Sequence, residues 1–335
     1  CEINPPHMTN PSLDPSIPKG KKGFCLSIPA WWILGFSLFL LIVLQIRIAP
    51  PDLAFYYSFA HSLVYDADFC FANEYNRFSF SAHELYLTRE GLPANDWPMG
   101  TGVAWIPFLI VARTIRLFAV LSGFAAADPG WGWFERWVIT FGATLLYSGG
   151  TLWLTYRYCL RERISTHSAR WAVFLMAIGS SYSYHLFVNS ADSHPPSAFF
   201  IILFLYWMQD NRERPTRLRL FLAGASLGMA GLIRPHNLLL ILTPVMEKWT
   251  RPRSTPSRIV SLPWLFLGIG VFLAFFPQLL VWKTLYGSCL AIPRSEDVLW
   301  LQPELYNTLF SDYHGMISWS PLFGLGILGL CLRKS

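Results

Sequence analysis

The chain has 335 residues, of which 53% are hydrophobic and only 14% are charged. A typical soluble domain is about 25% charged, and repeated apolar runs of about 18 residues alternate here with polar segments, so we predict a polytopic membrane protein. The net charge of +6 does not indicate a nucleic-acid partner, because most basic residues lie in short loops between apolar runs, where they set topology.

Residues 1–29 are polar and rich in proline, and we interpret them as a cytoplasmic N-terminal tail. Lysines precede the first predicted span, residues 30–48, so the positive-inside rule places a first outer loop at residues 50–134. Residues 30–335 form the predicted membrane domain. The sequence starts without methionine and stops just after an apolar run, so we expect both ends to be truncated.

The apolar segment 103–120 contains Arg113 and Arg116. A central arginine costs several kcal/mol in a lipid-exposed helix, and a crossing here would place the basic loop 157–170 outside. We therefore predict that this segment is an interfacial or re-entrant helix of the first outer loop.

Seven further spans follow from the hydropathy and the basic loops, which gives eight in total. They cover residues 137–156, 171–188, 197–208, 220–233, 237–246, 262–282 and 315–332, with a second outer loop at 283–314. Fourteen of the twenty Asp and Glu residues fall in outer segments and none lies in the middle of a span. Ion-coupled transporters usually need ionisable groups within the membrane, so the distribution of acids disfavours that class.

Asp52 lies four residues beyond the first predicted span and is followed by Tyr56 and Tyr57. An acid at this depth can deprotonate an acceptor hydroxyl that attacks a membrane-bound donor, and Tyr57 is a candidate substrate contact. The alternative is an ordinary N-cap aspartate of a helix over residues 53–64.

Three further acids, Asp66, Asp68 and Glu74, lie close together with Asn73. The group fits a substrate site or a divalent-metal site with hard oxygen ligands. It equally fits a solvated turn, or a clamp for nearby arginines.

Histidines and an arginine mark the outer ends of later segments: His194 in 192–196, then Arg234 and His236, and finally His314 in a polar loop before the last span. A cation at the outer boundary can hold a lipid phosphate, and arginine does so bidentately. The alternatives are headgroup snorkelling for Arg234 and a helix-start hydrogen bond for His194.

The order of these parts resembles the GT-C membrane glycosyltransferases, in particular the protein O-mannosyltransferase-like and aminoarabinose-transferase-like group (glycosyltransferase family 39-like). The similar segments are an acid after the first span, PMGTGVAWIPF (98–108), GLIRPHNLLL (231–240) and LFSDYHGMISWSPL (309–322). The resemblance covers residues 30–332. It implies an all-α transmembrane bundle, juxtamembrane helices in a large outer loop, and a polyprenyl- or dolichyl-phosphate sugar donor.

In that family an acid of the first loop acts near the acceptor, and Asp52 matches its position. Two adjacent acids are common there, whereas this chain has Asp52-Leu53, so Asp66 and Asp68 remain alternative bases. The family's Lys-Pro-Pro segment is Trp97-Pro98-Met99 here, which removes a phosphate-binding lysine. Its role then falls to one of two arginines, Arg234 or Arg113.

We therefore expect a sugar transferase in a bacterial inner membrane, with its site facing outward. The expected partners are the lipid-phosphate donor, a lipid, glycan or protein acceptor, and membrane lipids. No metal or other cofactor is expected, although a divalent ion is not excluded by the acids. The alternative function is a non-enzymatic flippase for lipid or polysaccharide.

Overall fold

The computed structural model describes residues 51–78, 86–124, 132–189, 191–250, 261–291, 304–312 and 315–332. These residues are predominantly helical and contain no β-strand beyond an isolated bridge between Leu87 and Pro93. The predicted all-α class is therefore confirmed for this part of the chain. The first predicted span, 30–48, and His314 lie outside the described residues.

The first helices all belong to the region predicted as the outer loop. They are α1 (Pro51–His61), a π-helical turn (Ser62–Asp66), α2 (Ala72–Phe78) and α3 (Gly100–Leu121).

One long helical stretch follows, divided by a second π turn, and two shorter helices come after it. They are α4 (Trp133–Gly142), the π turn (Ala143–Gly149), α5 (Gly150–Arg161), α6 (Thr166–Gly179) and α7 (Tyr182–Phe187).

The remaining elements form the second half of the chain. They are α8 (His194–Glu213), α9 (Arg217–Ile233), a 3-10 helix (Pro235–Ile241), α10 (Leu242–Thr250), α11 (Ser261–Tyr286), α12 (Leu305–Phe310), α13 (Met316–Trp319) and α14 (Pro321–Leu332).

Two of the described helices are long and apolar enough to cross a bilayer, namely Gly100–Leu121 and Trp264–Tyr286. Both leave many large apolar side chains exposed, such as Phe118 on α3 and Phe272 on α11, and exposed apolar surface of this kind fits association with lipid. Of the predicted spans that lie within the described residues, those other than 262–282 coincide with helices that are shorter, interrupted or less apolar. Eight crossings are therefore not established by the described residues.

Helices α9 and α11 pack backbone against backbone because glycine occupies the contact. A side chain on Gly224 or Gly228 would collide with the backbone of Leu267 or Val271, and one on Gly270 would collide with that of Phe221. The residue numbers at the contacts increase in the same direction on both helices, from Gly224–Leu267 to Gly228–Val271. The two helices therefore run parallel. Small residues four apart are the usual means by which membrane helices approach closely.

The relative directions of the other helices follow from contacts at their ends. Arg161 of α5 pairs with Asp210 of α8 at 2.9 Å, and Asp210 also pairs with Arg219 of α9. At the opposite end of α8, His194 contacts Arg234. Thus α8 and α9 are antiparallel, as predicted for the segments 197–208 and 220–233.

Helix α3 begins at the end of the α8–α9 pair formed by the start of α8 and the end of α9, where Gly100 contacts the backbone of Leu232 and Ile233, and it extends away from that end. It packs antiparallel along the first half of the stretch 133–161, since Ala104 accepts a hydrogen bond from the Tyr147 hydroxyl and Arg116 approaches Glu135. The second half of that stretch packs along α8. The whole stretch, residues 133–161, has 28 residue steps and is about 42 Å long. Helices α3 and α8 therefore lie at different positions along its axis.

Candidate functional site

The candidate site lies where the beginnings of α1 and α8 meet the end of α9. Asp52 stands in the first turn of α1, so the helix predicted from residue 53 exists and begins at Pro51. Asp52 receives a hydrogen bond from the Trp97 side chain and lies in the electrostatic field of both Asp192 and Arg234. Asp52 and Arg234, which are 182 positions apart in the chain, are thus close enough to interact electrostatically.

Arg234 ends α9 in an extended conformation, with φ −144° and ψ 105°. Pro235 imposes this conformation, because the residue before a proline is excluded from the helical region. The next turn is fixed to α8 by Asn237, whose amide donates to Ser197 Oγ at 2.8 Å and to the Ala230 carbonyl at 2.9 Å. The RPHN sequence therefore holds the arginine against the start of α8.

The guanidinium of Arg234 contacts the first residues of α8. Its Nε and Nη2 donate to Ser193 Oγ at 3.2 and 2.9 Å, and Nη2 lies 2.8 Å from His194 Nε2. Arginine has only donors, so His194 Nε2 is the acceptor and the imidazole is neutral. Burial, followed by the positive charge of Arg234, lowers the pKa of His194 to about 4.

Asp192 supplies the negative charge on the other side of His194. It accepts a hydrogen bond from the Ser193 N–H at 2.5 Å and lies 3.4 Å from His185 Nδ1. Burial alone would raise the pKa of Asp192, but its hydrogen bonds and the adjacent imidazoles outweigh burial and lower it. The rings of His185 and His194 stack with centroids 4.1 Å apart.

Asp52 is exposed at the surface. Partial desolvation and the charge of Asp192 nevertheless raise its pKa above the ordinary value, against the opposing effects of Trp97 and Arg234. Tyr56, one turn further along α1, hydrogen-bonds the Ser193 side chain, and burial raises its pKa to about 12. The site therefore combines the carboxylate of Asp52, whose pKa is raised, with the cation of Arg234 and the neutral hydroxyl of Tyr56. We call Asp52, Tyr56, Asp192, Ser193, His194 and Arg234 the acid–arginine cluster.

The N-terminus of α8 also points at this cluster, and its dipole favours a bound anion. Two prolines, Pro195 and Pro196, follow His194 and remove backbone N–H donors from the first turn. An anion would consequently depend on Arg234 and on hydroxyl groups more than on backbone amides. His236 lies at the exposed edge, where partial burial and the charge of Arg234 lower its pKa.

Tyr57, predicted as a substrate contact, is fully buried, and its hydroxyl donates to Glu135 Oε2 at 2.8 Å. Successive helical residues point about 100° apart, so Tyr56 rather than Tyr57 faces the acid–arginine cluster. The sequence analysis named Tyr57 as the candidate contact, whereas its neighbour Tyr56 occupies that position.

Three more predicted site residues, Asp66, Glu74 and Arg113, lie at the opposite end of α1. Glu74 is buried and accepts a hydrogen bond from Ser62 at 2.9 Å, while Asp66 lies near His61. Arg113 donates to the Val64 carbonyl at 2.7 Å and covers the Tyr65 ring. Nine residue steps from Asp52 to His61 span about 13.5 Å, so these groups do not join the acid–arginine cluster.

Asp68, the other alternative base, is exposed and accepts a hydrogen bond from the Cys70 N–H at 3.0 Å. That contact is an Asx turn, which agrees with the turn considered in the sequence analysis. Asp66 and Asp68 follow the far end of α1, about 13.5 Å along that helix from Asp52, and are therefore poor substitutes for it.

Sequence reasoning missed Tyr56, His185 and Trp97 as members of the site. His185 stands seven residues before Asp192, at the end of the predicted span 171–188, and its position at an outer helix end was the available signal. The Trp97 contact had no such signal, since it depends on how the loop before α3 folds back over α1.

Among the described residues, two groups of side chains could hold a metal ion. The first is His185, Asp192 and His194, at the edge of the acid–arginine cluster, and the second is His61, Asp66 and Glu74, at the far end of α1. The guanidinium of Arg234 occupies the lone pair of His194 Nε2, which disfavours a cation in the first group. Comparison with protein-family models, with curated proteins and with solved structures finds no match to this chain.

Proposed function

We propose that this protein is a membrane glycosyltransferase of the GT-C kind, which transfers a sugar from a polyprenyl-phosphate donor to an acceptor hydroxyl at the outer face. The observation that carries the proposal is the acid–arginine cluster, in which Asp52 interacts electrostatically with Arg234 where three helix ends meet. A phosphate leaving group needs a cation, and an attacking hydroxyl needs a base.

In this proposal the acceptor oxygen attacks the anomeric carbon of the donor sugar. The bond between that carbon and the phosphate oxygen breaks, and the acceptor proton moves to Asp52. A carboxylate whose pKa is raised is a stronger base than an ordinary aspartate. The base is active when ionised, so transfer should fall as the pH decreases through that raised pKa.

The departing lipid phosphate keeps both electrons of the broken bond and gains negative charge. The Nε and Nη2 atoms of Arg234 already donate to Ser193 and His194. A parallel pair of N–H groups, from Nη1 and Nη2, is therefore available to the phosphate when one of its oxygens replaces His194 as the acceptor of Nη2. The present contacts of Arg234 with Ser193 and His194 hold the side chain in place before the donor arrives. His194 is neutral, so it adds a polar wall and leaves the positive charge to Arg234.

The distribution of charge along α8 supports a membrane orientation. The acid–arginine cluster surrounds its first residue, and a second set of ion pairs joins Asp210 to Arg161 and Arg219 near its end. Sixteen residue steps separate His194 from Asp210, about 24 Å, which is close to the thickness of a hydrocarbon core of about 30 Å. We infer that the acid–arginine cluster lies at the outer boundary of a bacterial inner membrane.

The position of α3 fits the same orientation. If the α8–α9 pair lies in the hydrocarbon core, α3 extends beyond its outer end, and Arg113 and Arg116 point to contacts outside the core. The helix is apolar enough to cross, yet one bilayer cannot contain both α3 and the α8–α9 pair at different depths. We therefore retain the proposal of an interfacial helix in a multi-pass protein.

The test uses the purified chain in lipid nanodiscs with radiolabelled polyprenyl-phosphate mannose, glucose and aminoarabinose. The proposal expects release of polyprenyl phosphate from at least one donor, dependent on Asp52 and Arg234. If every donor stays intact while the same protein equilibrates a fluorescent polyprenyl phosphate across proteoliposomes, the protein is a flippase.

A further inference from the structure

The second cluster of titratable side chains lies where α1 passes into the π turn. His61 closes α1, Asp66 closes the π turn, and Glu74 stands in the first turn of α2. In an α-helix, five residue steps would rotate Asp66 about 140° away from His61. The i→i+5 pairing of the π turn instead places the two residues on the same side, and such turns are frequent at functional sites.

The ligand atoms of this cluster converge. His61 Nδ1 lies 2.8 Å from Glu74 Oε1 and 3.5 Å from Asp66 Oδ2. For metal–ligand bonds of about 2.1 Å, neighbouring ligands are about 3.0 Å apart in octahedral and about 3.4 Å apart in tetrahedral coordination. Both distances are close to these edge lengths, and one ligand atom of each of the three residues lies within 4.8 Å of the other two.

A second observation concerns the buried carboxylate. The side chain of Glu74 is completely buried and Oε1 receives contacts from His61 and Ser62, whereas Oε2 has no hydrogen-bond partner within the part of the chain that the structure describes. An unsatisfied anionic oxygen in the interior is costly. A cation at this oxygen would remove that cost.

The groups around the three ligands hold them in position. The His61 ring stacks on Tyr65 with centroids 4.4 Å apart, and the hydroxyls of Tyr65 and Tyr57 both donate to Glu135 at 2.8 Å. Asn73 donates to Asp66 Oδ2 at 2.9 Å. Outer contacts of this type orient metal ligands in proteins.

We propose that His61, Asp66 and Glu74 bind one divalent transition-metal ion, with Zn²⁺ preferred over Mg²⁺. A ligand set with one imidazole and two carboxylates favours Zn²⁺, whereas Mg²⁺ prefers an all-oxygen shell. The ion would join the end of α1 to α2 and so fix the position of the outer helices. It lies about 13.5 Å along α1 from Asp52, so its role is structural and does not depend on the proposed sugar transfer.

The experiment measures metal bound to the full chain in detergent after chelation, by dialysis against Zn²⁺ or Mg²⁺ followed by elemental analysis. Wild type is expected to retain one Zn²⁺ ion and no Mg²⁺, and Zn²⁺ is expected to raise its unfolding temperature. Glu74→Gln and Asp66→Asn should lose both effects. Asp66 is partly exposed, so its variant keeps the test valid if the Glu74 variant does not fold.

Two comparison variants separate this site from other sources of binding. Asp68→Asn removes a neighbouring acid that holds only a turn, and it should retain the ion. His194→Gln removes a ligand of the other candidate group, and it should also retain the ion. Zn²⁺ stoichiometry that is unchanged in Glu74→Gln and Asp66→Asn, or that is lost only in His194→Gln, would overturn the proposal.

Discussion

Arg234 is the residue whose replacement tests the phosphate site most sharply. Its guanidinium makes two contacts with Ser193 Oγ and one with His194 Nε2, at 2.8 to 3.2 Å. A lysine would keep the positive charge and lose the two-pronged geometry. Arg234→Lys therefore isolates geometry from charge, whereas Arg234→Gln removes both.

The magnitude follows from the number of hydrogen bonds lost. One charge-assisted hydrogen bond contributes about 1.5–3 kcal/mol, and about 1.4 kcal/mol corresponds to a tenfold change in affinity. Loss of one phosphate contact in Arg234→Lys should weaken the binding of a polyprenyl phosphate by about 10- to 150-fold. Arg234→Gln should reach or exceed the upper end of that range.

The assay is binding of undecaprenyl phosphate to the purified chain in nanodiscs, with the unfolding temperature measured in parallel. Arg170→Gln provides the matched control, because Arg170 is exposed on α6. Normal affinity in both Arg234 variants would show that Arg234 is a headgroup anchor or a helix-end lock, and would refute the argument from its contacts.

Three further predictions concern packing, protonation and helix phase. Gly224→Ala should destabilise the protein by about 1–3 kcal/mol, because the new methyl group meets the backbone of α11. The control is Gly268→Ala on α11, whose methyl group meets nothing within 4 Å. Equal unfolding temperatures of the two variants would contradict the backbone contact. His194 should titrate near pH 4 by NMR. Because its folded pKa lies below the unfolded value of about 6.5, its contribution to stability is complete above pH 6.5 and is lost as the pH falls through 4. Titration near pH 6.5 would contradict its neutral state. Tyr56→Phe should weaken phosphate binding with little change in stability. Tyr57→Phe should instead cost about 1–3 kcal/mol of stability, because the buried carboxylate of Glu135 loses a donor. The reverse pattern would contradict the helix face assigned to the two tyrosines.

The helical class could be predicted from sequence because apolar runs of the required length are visible without tertiary information. The meeting of Asp52, His194 and Arg234 could also be predicted in outline. Each lies at the end of an apolar segment, and the basic loops assign all three ends to the same side. Contacts at both ends of α8 agree with that assignment of relative direction.

The finer assignments failed where they depended on rotation or on the path of a helix. Choosing Tyr57 over Tyr56 required the phase of α1, which a single turn of sequence does not define. Asp66 was named as an alternative to Asp52, but α1 separates Asp52 from His61, the neighbour of Asp66, by about 13.5 Å. The π turn that brings Asp66 to His61 has no recognised sequence signal.

The most direct test of the proposed chemistry is the rate of sugar transfer by Asp52→Asn. Asparagine keeps the size of the side chain and its place in the first turn of α1, but it cannot accept the acceptor proton. Loss of a general base lowers a rate by about 10²- to 10⁴-fold. Asp52 lies within the first turn and is not the N-cap considered in the sequence analysis, so loss of a purely structural role would cost at most about 1 kcal/mol of helix-dipole stabilisation. The comparison variant is Asp68→Asn, at the far end of α1.

The measurement is single-turnover transfer from a radiolabelled polyprenyl-phosphate sugar, with donor binding and unfolding temperature confirmed for each variant. Our account predicts that Asp52→Asn binds the donor normally and transfers sugar at least about 100-fold more slowly, while Asp68→Asn transfers at the wild-type rate. Transfer by Asp52→Asn within a few-fold of wild type would contradict the assignment of Asp52 as the base.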